Sequence, residues 1–152
     1  MNPPELKTAV HRHCLELVSS RIAELERALA ELAESVANET KSTAGDKYET
    51  ARAMLHIEQA QLGRQLSEQN EQLSVLRLID PARLLQRVVA GSLIEMEGGW
   101  YYLSTALGKM NVDSVQVIAL SLKSPLGAKL SGLCAGDKLV LNGQARLVTA
   151  VY

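Results

Sequence analysis

From Leu15 to Val36 the apolar positions step by three and four without a break, through Leu15, Val18, Ile22, Leu25, Leu29, Leu32 and Val36. That spacing is the coiled-coil signature, sustained over about three heptads. A second series, Leu55, Leu62, Leu66, Leu73 and Leu76, mirrors the first. Val36 matches Leu55, Leu29 matches Leu62, Leu25 matches Leu66, Val18 matches Leu73 and Leu15 matches Leu76, and each pair of residue numbers sums to 91. A constant sum is what an antiparallel helical hairpin requires, since a step up one helix must meet an equal step down the other. The pattern predicts one helix from an Asn2 cap, with Pro3 and Pro4 in its first turn, to about Thr40, and a return helix from about Lys47 to Ile79. Residues Thr40 to Arg52 become the hairpin tip, and at 1.5 Å per residue the arm is expected to project roughly 45 Å. Gln59 and Gln69 fall on the seam, where polar residues restrict register at a cost in stability. A further stripe, Leu6, Val10, Cys14 and Leu17, widens the apolar face near the start, so the base of the hairpin should pack on the second domain.

After Asp80-Pro81 the period changes. A short helical link is expected over Ala82–Val88, with Asp80 as cap and Pro81 at the first helical position. Ser92–Met96 and Trp100–Ser104 read as strands around Gly98-Gly99, and Val115–Leu122 as a strand apolar enough to be central. Ser124-Pro125 opens a short helix of Leu126–Leu130 ended by Gly132. Lys138–Leu141 and Gln144–Val151 flank Asn142-Gly143, the preferred type I′ turn pair. The fold class is α+β, an N-terminal antiparallel coiled-coil hairpin followed by a small antiparallel sheet domain with one short helix. The expected domains are 1–80, with the acidic tip at 45–49, a linker at 81–90, and the sheet domain at 91–152.

Composition sharpens this picture. There is no Phe and aromatic residues make up 3% of the chain, so the core must be aliphatic, which suits helix seams better than a deep aromatic pocket. Residues 1–80 hold 9 Lys/Arg against 13 Asp/Glu, and residues 81–152 hold 7 against 4. An acidic hairpin is poorly equipped to grip naked nucleic acid, where phosphate neutralisation dominates affinity, so a protein partner is expected. No apolar run has the length of a membrane span and the N-terminus lacks a signal-peptide pattern, which makes no membrane association and a cytoplasmic location the expectation. Cys14 and Cys134 match no disulfide or metal spacing and read as reduced thiols.

Chemistry concentrates at the tip. Asp46 and Glu49 are spaced i, i+3 at the start of the return helix, with Lys47 and Arg52 beside them. The plain reading makes Asp46 an N-cap and Glu49 the partner in a capping box. The functional reading starts from Mg²⁺, which usually takes one or two protein carboxylates plus phosphate oxygens and water. Two exposed carboxylates could complete a metal site but could not form one. Elsewhere, His11, His13 and Cys14 cluster near the base, but adjacent helical positions do not converge on one metal, and packing is the expected role. Trp100-Tyr101-Tyr102 alternates faces on its strand and reads as core or docking surface.

Gly45-Asp46-Lys47-Tyr48-Glu49 at a hairpin tip, then Gly91-Ser92-Leu93-Ile94, then Ser124-Pro125-Leu126-Gly127-Ala128-Lys129-Leu130 ahead of Gly136-Asp137, resembles the bacterial Gre transcript-cleavage factors over nearly the whole chain. The resemblance implies a C-terminal domain with an FKBP-like fold that docks on RNA polymerase, and a hairpin that enters the polymerase secondary channel. It implies that Asp46 and Glu49 act at the catalytic centre as metal and water ligands, sharing Mg²⁺ with the polymerase while backtracked RNA is hydrolysed. Lys47 and Arg52 would steer phosphates at the nascent RNA 3′ end, and Ser124, Pro125, Leu126 and Gly127 would belong to the docking surface. The protein itself would be a monomeric cofactor rather than an enzyme. After Glu49 the chain runs Thr50-Ala51-Arg52, where family members often continue with Asn and a nearby Glu-Tyr pair. Some Gre-fold relatives inhibit or retune the polymerase, and this is the alternative reading. A coiled-coil adaptor, which would expose an apolar stripe outside the mirrored seam, and a prolyl isomerase stand behind it. Fold likeness alone supplies no isomerase pocket.

Overall fold

The computed structural model describes residues 1–39 and 45–152, with the backbone alone for Glu39, Gly45 and Asp46. Two helices come first, α1 over Pro3–Glu39 and α2 over Gly45–Arg77. Asn2 caps α1 reciprocally: the Glu5 amide donates to Asn2 Oδ1 at 2.9 Å, and the Asn2 amide donates to Glu5 Oε2 at 3.1 Å. That pair satisfies two amides that have no helical acceptor. Every seam position of α1 from Leu15 to Val36 is buried or half-buried, and α2 half-buries Leu55, Gln59, Leu62, Leu66, Gln69 and Leu73. Arg21, Glu24, Leu25 and Ala28 of α1 line a cleft of about 450 Å³ with Gln65, Glu68 and Gln69 of α2, which is the antiparallel register of the mirrored seam. The segment 40–44, central to the expected tip, lies outside the described residues.

The chain forms two compact units, one of Met1–Glu16 with Ser74–Tyr152 and one of Leu17–Leu73. In the first unit, six strands follow the helices: β1 (Leu93–Met96), β2 (Gly99–Ser104), β3 (Gly108–Val112), β4 (Val115–Ser121), β5 (Lys138–Leu141) and β6 (Gln144–Val151), with α3 (Pro125–Leu130) between β4 and β5. The sheet order is β3-β4-β2-β1-β6-β5. The α+β class and the strand pairs around Gly98 and Asn142-Gly143 agree with the sequence pattern; Asn142 and Gly143 take φ of 52° and 76°, as a type I′ turn requires.

Three features differ from expectation. The sheet is not wholly antiparallel, because β2 and β4 run parallel, Trp100 opposite Val117 through Ser104 opposite Ser121. The cause is β3, a strand the pattern did not reveal: it forms an edge hairpin with β4 through Asp113 and Ser114, at φ of 48° and 68°. Its sequence Gly-Lys-Met-Asn-Val carries only Met110 and Val112 as buried alternates, and its turn lacks glycine. Third, the helical link over Ala82–Val88 is absent. Asp80 does cap a turn, its Oδ1 accepting the Ala82 amide at 3.0 Å, but no helix follows it. Val88 donates to Leu133 O and accepts from the Gly132 amide, both at 2.8 Å, so non-local backbone pairing with the α3–β5 connection displaces the local helix.

The sheet buries both faces. On one, Ile94, Met96, Tyr101, Leu103 and Leu120 pack with Leu130 of α3, Val88, Leu139 and Val148. By strand alternation Tyr102 points the other way, and there it meets α1: His11 Nδ1 lies 2.7 Å from Tyr102 Oη, and Cys14 Sγ lies 3.9 Å from Met110 Sδ. Leu6, Val10 and Cys14 of the expected widening stripe are buried, so the first turns of α1 do pack on the sheet. Each fully buried Leu or Val contributes roughly 1.5–3 kcal/mol relative to exposure.

Candidate functional site

The tip residues sit at the beginning of α2. Gly45 opens that helix, so Asp46 is its second residue and lies inside it rather than at the cap; the helix starts two residues earlier than expected. The Asp46 side chain, one of the two expected metal ligands, lies outside the described residues. Glu49, Lys47 and Arg52 are exposed.

Arg52 is less free than the sequence suggests. Its Nη1 donates to Tyr48 Oη at 3.1 Å, and its Nε to His56 Nε2 at 3.4 Å. The i, i+4 spacing of Tyr48, Arg52 and His56 puts the three side chains on one helix face, where they meet as a ladder. Lys47, Thr50, Ala51 and Met54 line a shallow depression of about 340 Å³ on the same helix. Beyond it Met54 and Ile57 are 66% and 63% exposed, outside the mirrored seam.

Among the described residues no three of His, Cys, Asp and Glu converge as a metal site. Glu49 supplies one exposed carboxylate, and Asp46 stands three positions before it on the same helix. That donor set fits Mg²⁺ only as a contributor to a site completed by other ligands.

No protein-family model and no curated protein matches this sequence. Among solved structures, the chain is similar to the transcription factor Gfh1, at 16% identity with a TM-score of 0.37, over 91% of this chain and 92% of that one. A likeness at that level carries no function across. No helix among the described residues is long and apolar enough to cross a membrane.

The residues expected to dock on a partner have a clear local role. Ser124 caps α3, its Oγ accepting the Gly127 amide at 3.0 Å and donating to Ser121 O at 2.7 Å. Pro125 occupies the first turn, where it needs no acceptor. Gly127 is buried, and a Cβ there would collide with the Ser121 carbonyl oxygen, so only glycine fits. Leu126 packs on the core while Pro125 stays exposed. Gly136-Asp137 likewise forms a turn, with Asp137 Oδ2 accepting the Cys134 amide at 2.8 Å.

The buried polar residues near the base were not all anticipated. Lys7 is 1% exposed and donates from Nζ to Arg83 O at 2.6 Å. Burial lowers its pKa, opposed by the charge of Asp80 and assisted by that of Arg83. Burial also lowers the pKa of His11, Asp80 opposing and Lys7 assisting, and it raises that of Tyr102, with Cys14 adding to the rise. Both shifts favour neutral forms, which share the hydrogen bond between His11 Nδ1 and Tyr102 Oη. Burial pushes the Cys14 thiol up to about 12, which makes it an inert core group. The cluster ties α1 to the sheet, with Lys7 and His11 one turn apart beside the apolar stripe.

Proposed function

We propose that the protein is a Gre-like transcription factor that binds RNA polymerase, enters its secondary channel with the helical hairpin and stimulates Mg²⁺-dependent cleavage of backtracked RNA. The observation that carries this reading is the placement of Gly45-Asp46-Lys47-Tyr48-Glu49 at the turn-proximal start of the second of two antiparallel helices. The Ser124-Pro125-Leu126-Gly127 helix cap follows on the sheet unit in the order the family resemblance implies. Asp46 and Glu49 would contribute carboxylate oxygens, and the polymerase the remaining ligands. A metal held between them would polarise the scissile phosphodiester and activate water. Lys47 is the freer of the two tip cations for the RNA 3′ end, since Arg52 is held by Tyr48 and His56.

A second reading has a specific observation in its favour. Met54 and Ile57 form an exposed apolar stripe outside the seam, the feature expected of a coiled-coil adaptor. One experiment separates the readings: RNA cleavage in a backtracked elongation complex with Mg²⁺, comparing the native protein with Asp46→Asn/Glu49→Gln. Stimulation that the variant loses by about tenfold or more supports the proposal, the scale of loss seen even for outer partners of a metal site. Binding to the polymerase without stimulation by either protein selects a modulator of transcription instead. No binding at all leaves the adaptor.

A further inference from the structure

Beside the seam of α2, four positions repeat with a symmetric spacing: Lys47, Ala51, Met54 and Glu58, at steps of four, three and four. Those steps hold all four on one face of a helix. The surface agrees. Lys47, Ala51 and Met54 border one open depression together with Thr50, and Ala51, Met54 and Glu58 border the next together with Leu55, Ile57 and Gln61. Ala51 and Met54 belong to both, so they are the middle of one strip that carries a cation at one end and a carboxylate at the other. Met54 and Ile57 are strongly exposed and stand within one turn of each other, which makes them a patch and not a scatter of single apolar residues.

Symmetry and charge together indicate what covers the strip. The outer pair, Lys47 and Glu58, and the inner pair, Ala51 and Met54, have residue numbers with the same sum, 105. A second copy of the helix laid antiparallel on the strip therefore sets Ala51 opposite Met54 and Lys47 opposite Glu58, each of them twice. A small side chain then faces a large one, and opposite charges meet at both ends. A parallel copy would set Lys47 against Lys47 and Glu58 against Glu58, which like-charge repulsion disfavours. A partner surface of uniform charge would suit one end of the strip and repel the other. The strip is complementary to itself in one orientation, the property of an isologous two-fold interface. Only a few side chains per copy take part, so such an association is reversible and not obligate.

We propose that this face of α2 is a self-association site, at which two copies of the chain pair antiparallel through Ala51 and Met54 with reciprocal Lys47–Glu58 ion pairs. The site rests on the helix face and not on the polymerase reading, and it departs from the monomer that the family resemblance implies. Sedimentation equilibrium of the full-length protein should show a monomer at about 1 µM and mainly a dimer by about 1 mM. Backbone amide shifts over the same range should centre on residues 47–61. Met54→Glu should weaken association at least about tenfold, as loss of the central anchor. Lys47→Glu and Glu58→Lys each bring like charges together twice and should each weaken it at least about fivefold. An equimolar mixture of those two variants restores opposite charges at both ends, and it should associate within about twofold of the native protein. The three substituted side chains are exposed, so circular dichroism should show every variant folded. A native protein still monomeric at about 1 mM, association that Met54→Glu leaves unchanged, shifts centred elsewhere, or a mixture no stronger than its components would overturn the proposal.

Discussion

The sheet unit and the helical unit solve the same problem with different thoroughness. In the sheet unit Val10, Leu93, Ile94, Tyr102, Leu103, Val117, Leu130 and Val148 are wholly removed from solvent, with α1 on one face of the sheet and α3 on the other. In the unit of Leu17–Leu73, Val18 alone among the described apolar residues reaches that class, Leu32 keeps 7% of its surface exposed, and the rest of the seam is half-exposed. A two-helix pair has a single contact face, so each seam residue keeps one side in water. Free energy of unfolding should therefore be unevenly spread, large in the sheet and small in the helical pair, where local opening comes first.

Core truncation tests this contrast most strongly. Leu103→Ala, in a fully buried site, should cost about 2–5 kcal/mol in urea unfolding. Leu62→Ala, on the half-exposed seam, should cost less than half as much, about 1 kcal/mol. Equal costs would erase the distinction between the units. Next in size is Gly127→Ala, whose methyl group must push against the Ser121 carbonyl. We expect a loss of about 2–4 kcal/mol, with α3 detaching before the sheet melts. Amide exchange that rises only around Ser124 and Gly127 would place the strain there.

Tyr102→Phe removes the hydroxyl facing His11 and leaves a buried imidazole nitrogen unpaired, at about 1–3 kcal/mol. The pH dependence of the same site has a definite sign. His11 has a folded pKa below its unfolded value near 6.5, so the folded state binds fewer protons between the two values and stability rises with pH there. Sheet-unit stability should fall as pH drops below about 6.5 and level off once the folded group is protonated. His11→Gln should flatten that slope; an unchanged slope would assign the effect to other groups. The smallest effect expected is in the helical unit. Gln69 carries a buried Oε1 with no hydrogen-bond partner among the described residues. Gln69→Leu should stabilise the pair by about 1 kcal/mol, and a dimer appearing at the same time would show that the glutamine had been restricting register.

The long elements were legible because their signals are local and repeated. Seven seam positions on α1 and their mirror images define both helices and their antiparallel sense, and Asn142-Gly143 defines the last hairpin through backbone preference alone. The Ser124 cap and Pro125 likewise announce α3, whatever surrounds it. At the tip, the sequence shows the carboxylate spacing of Asp46 and Glu49, whereas the engagement of Arg52 by Tyr48 and His56 is a matter of side-chain geometry.

What tertiary structure alone decided were the features that depend on distant partners. Ala82–Val88 has a helix-start signal, yet Val88 pairs with Gly132 and Leu133, a choice that exists only once α3 is in place. β3 is too polar to read as a strand until β4 supplies its hydrogen bonds and the sheet buries Met110 and Val112, and the parallel pairing of β2 with β4 follows from that insertion. Lys7 and His11 are polar residues in a helix's first turns, and nothing local marks them as buried. They become so because Leu6, Val10 and Cys14 bring that face of α1 onto the sheet, where Arg83 O and Tyr102 supply the partners that burial demands. Periodicity and turn chemistry are written in neighbouring residues, so the sequence determined the helices, most strands and the caps; burial and strand pairing join residues far apart in the chain, so only the folded molecule could settle them.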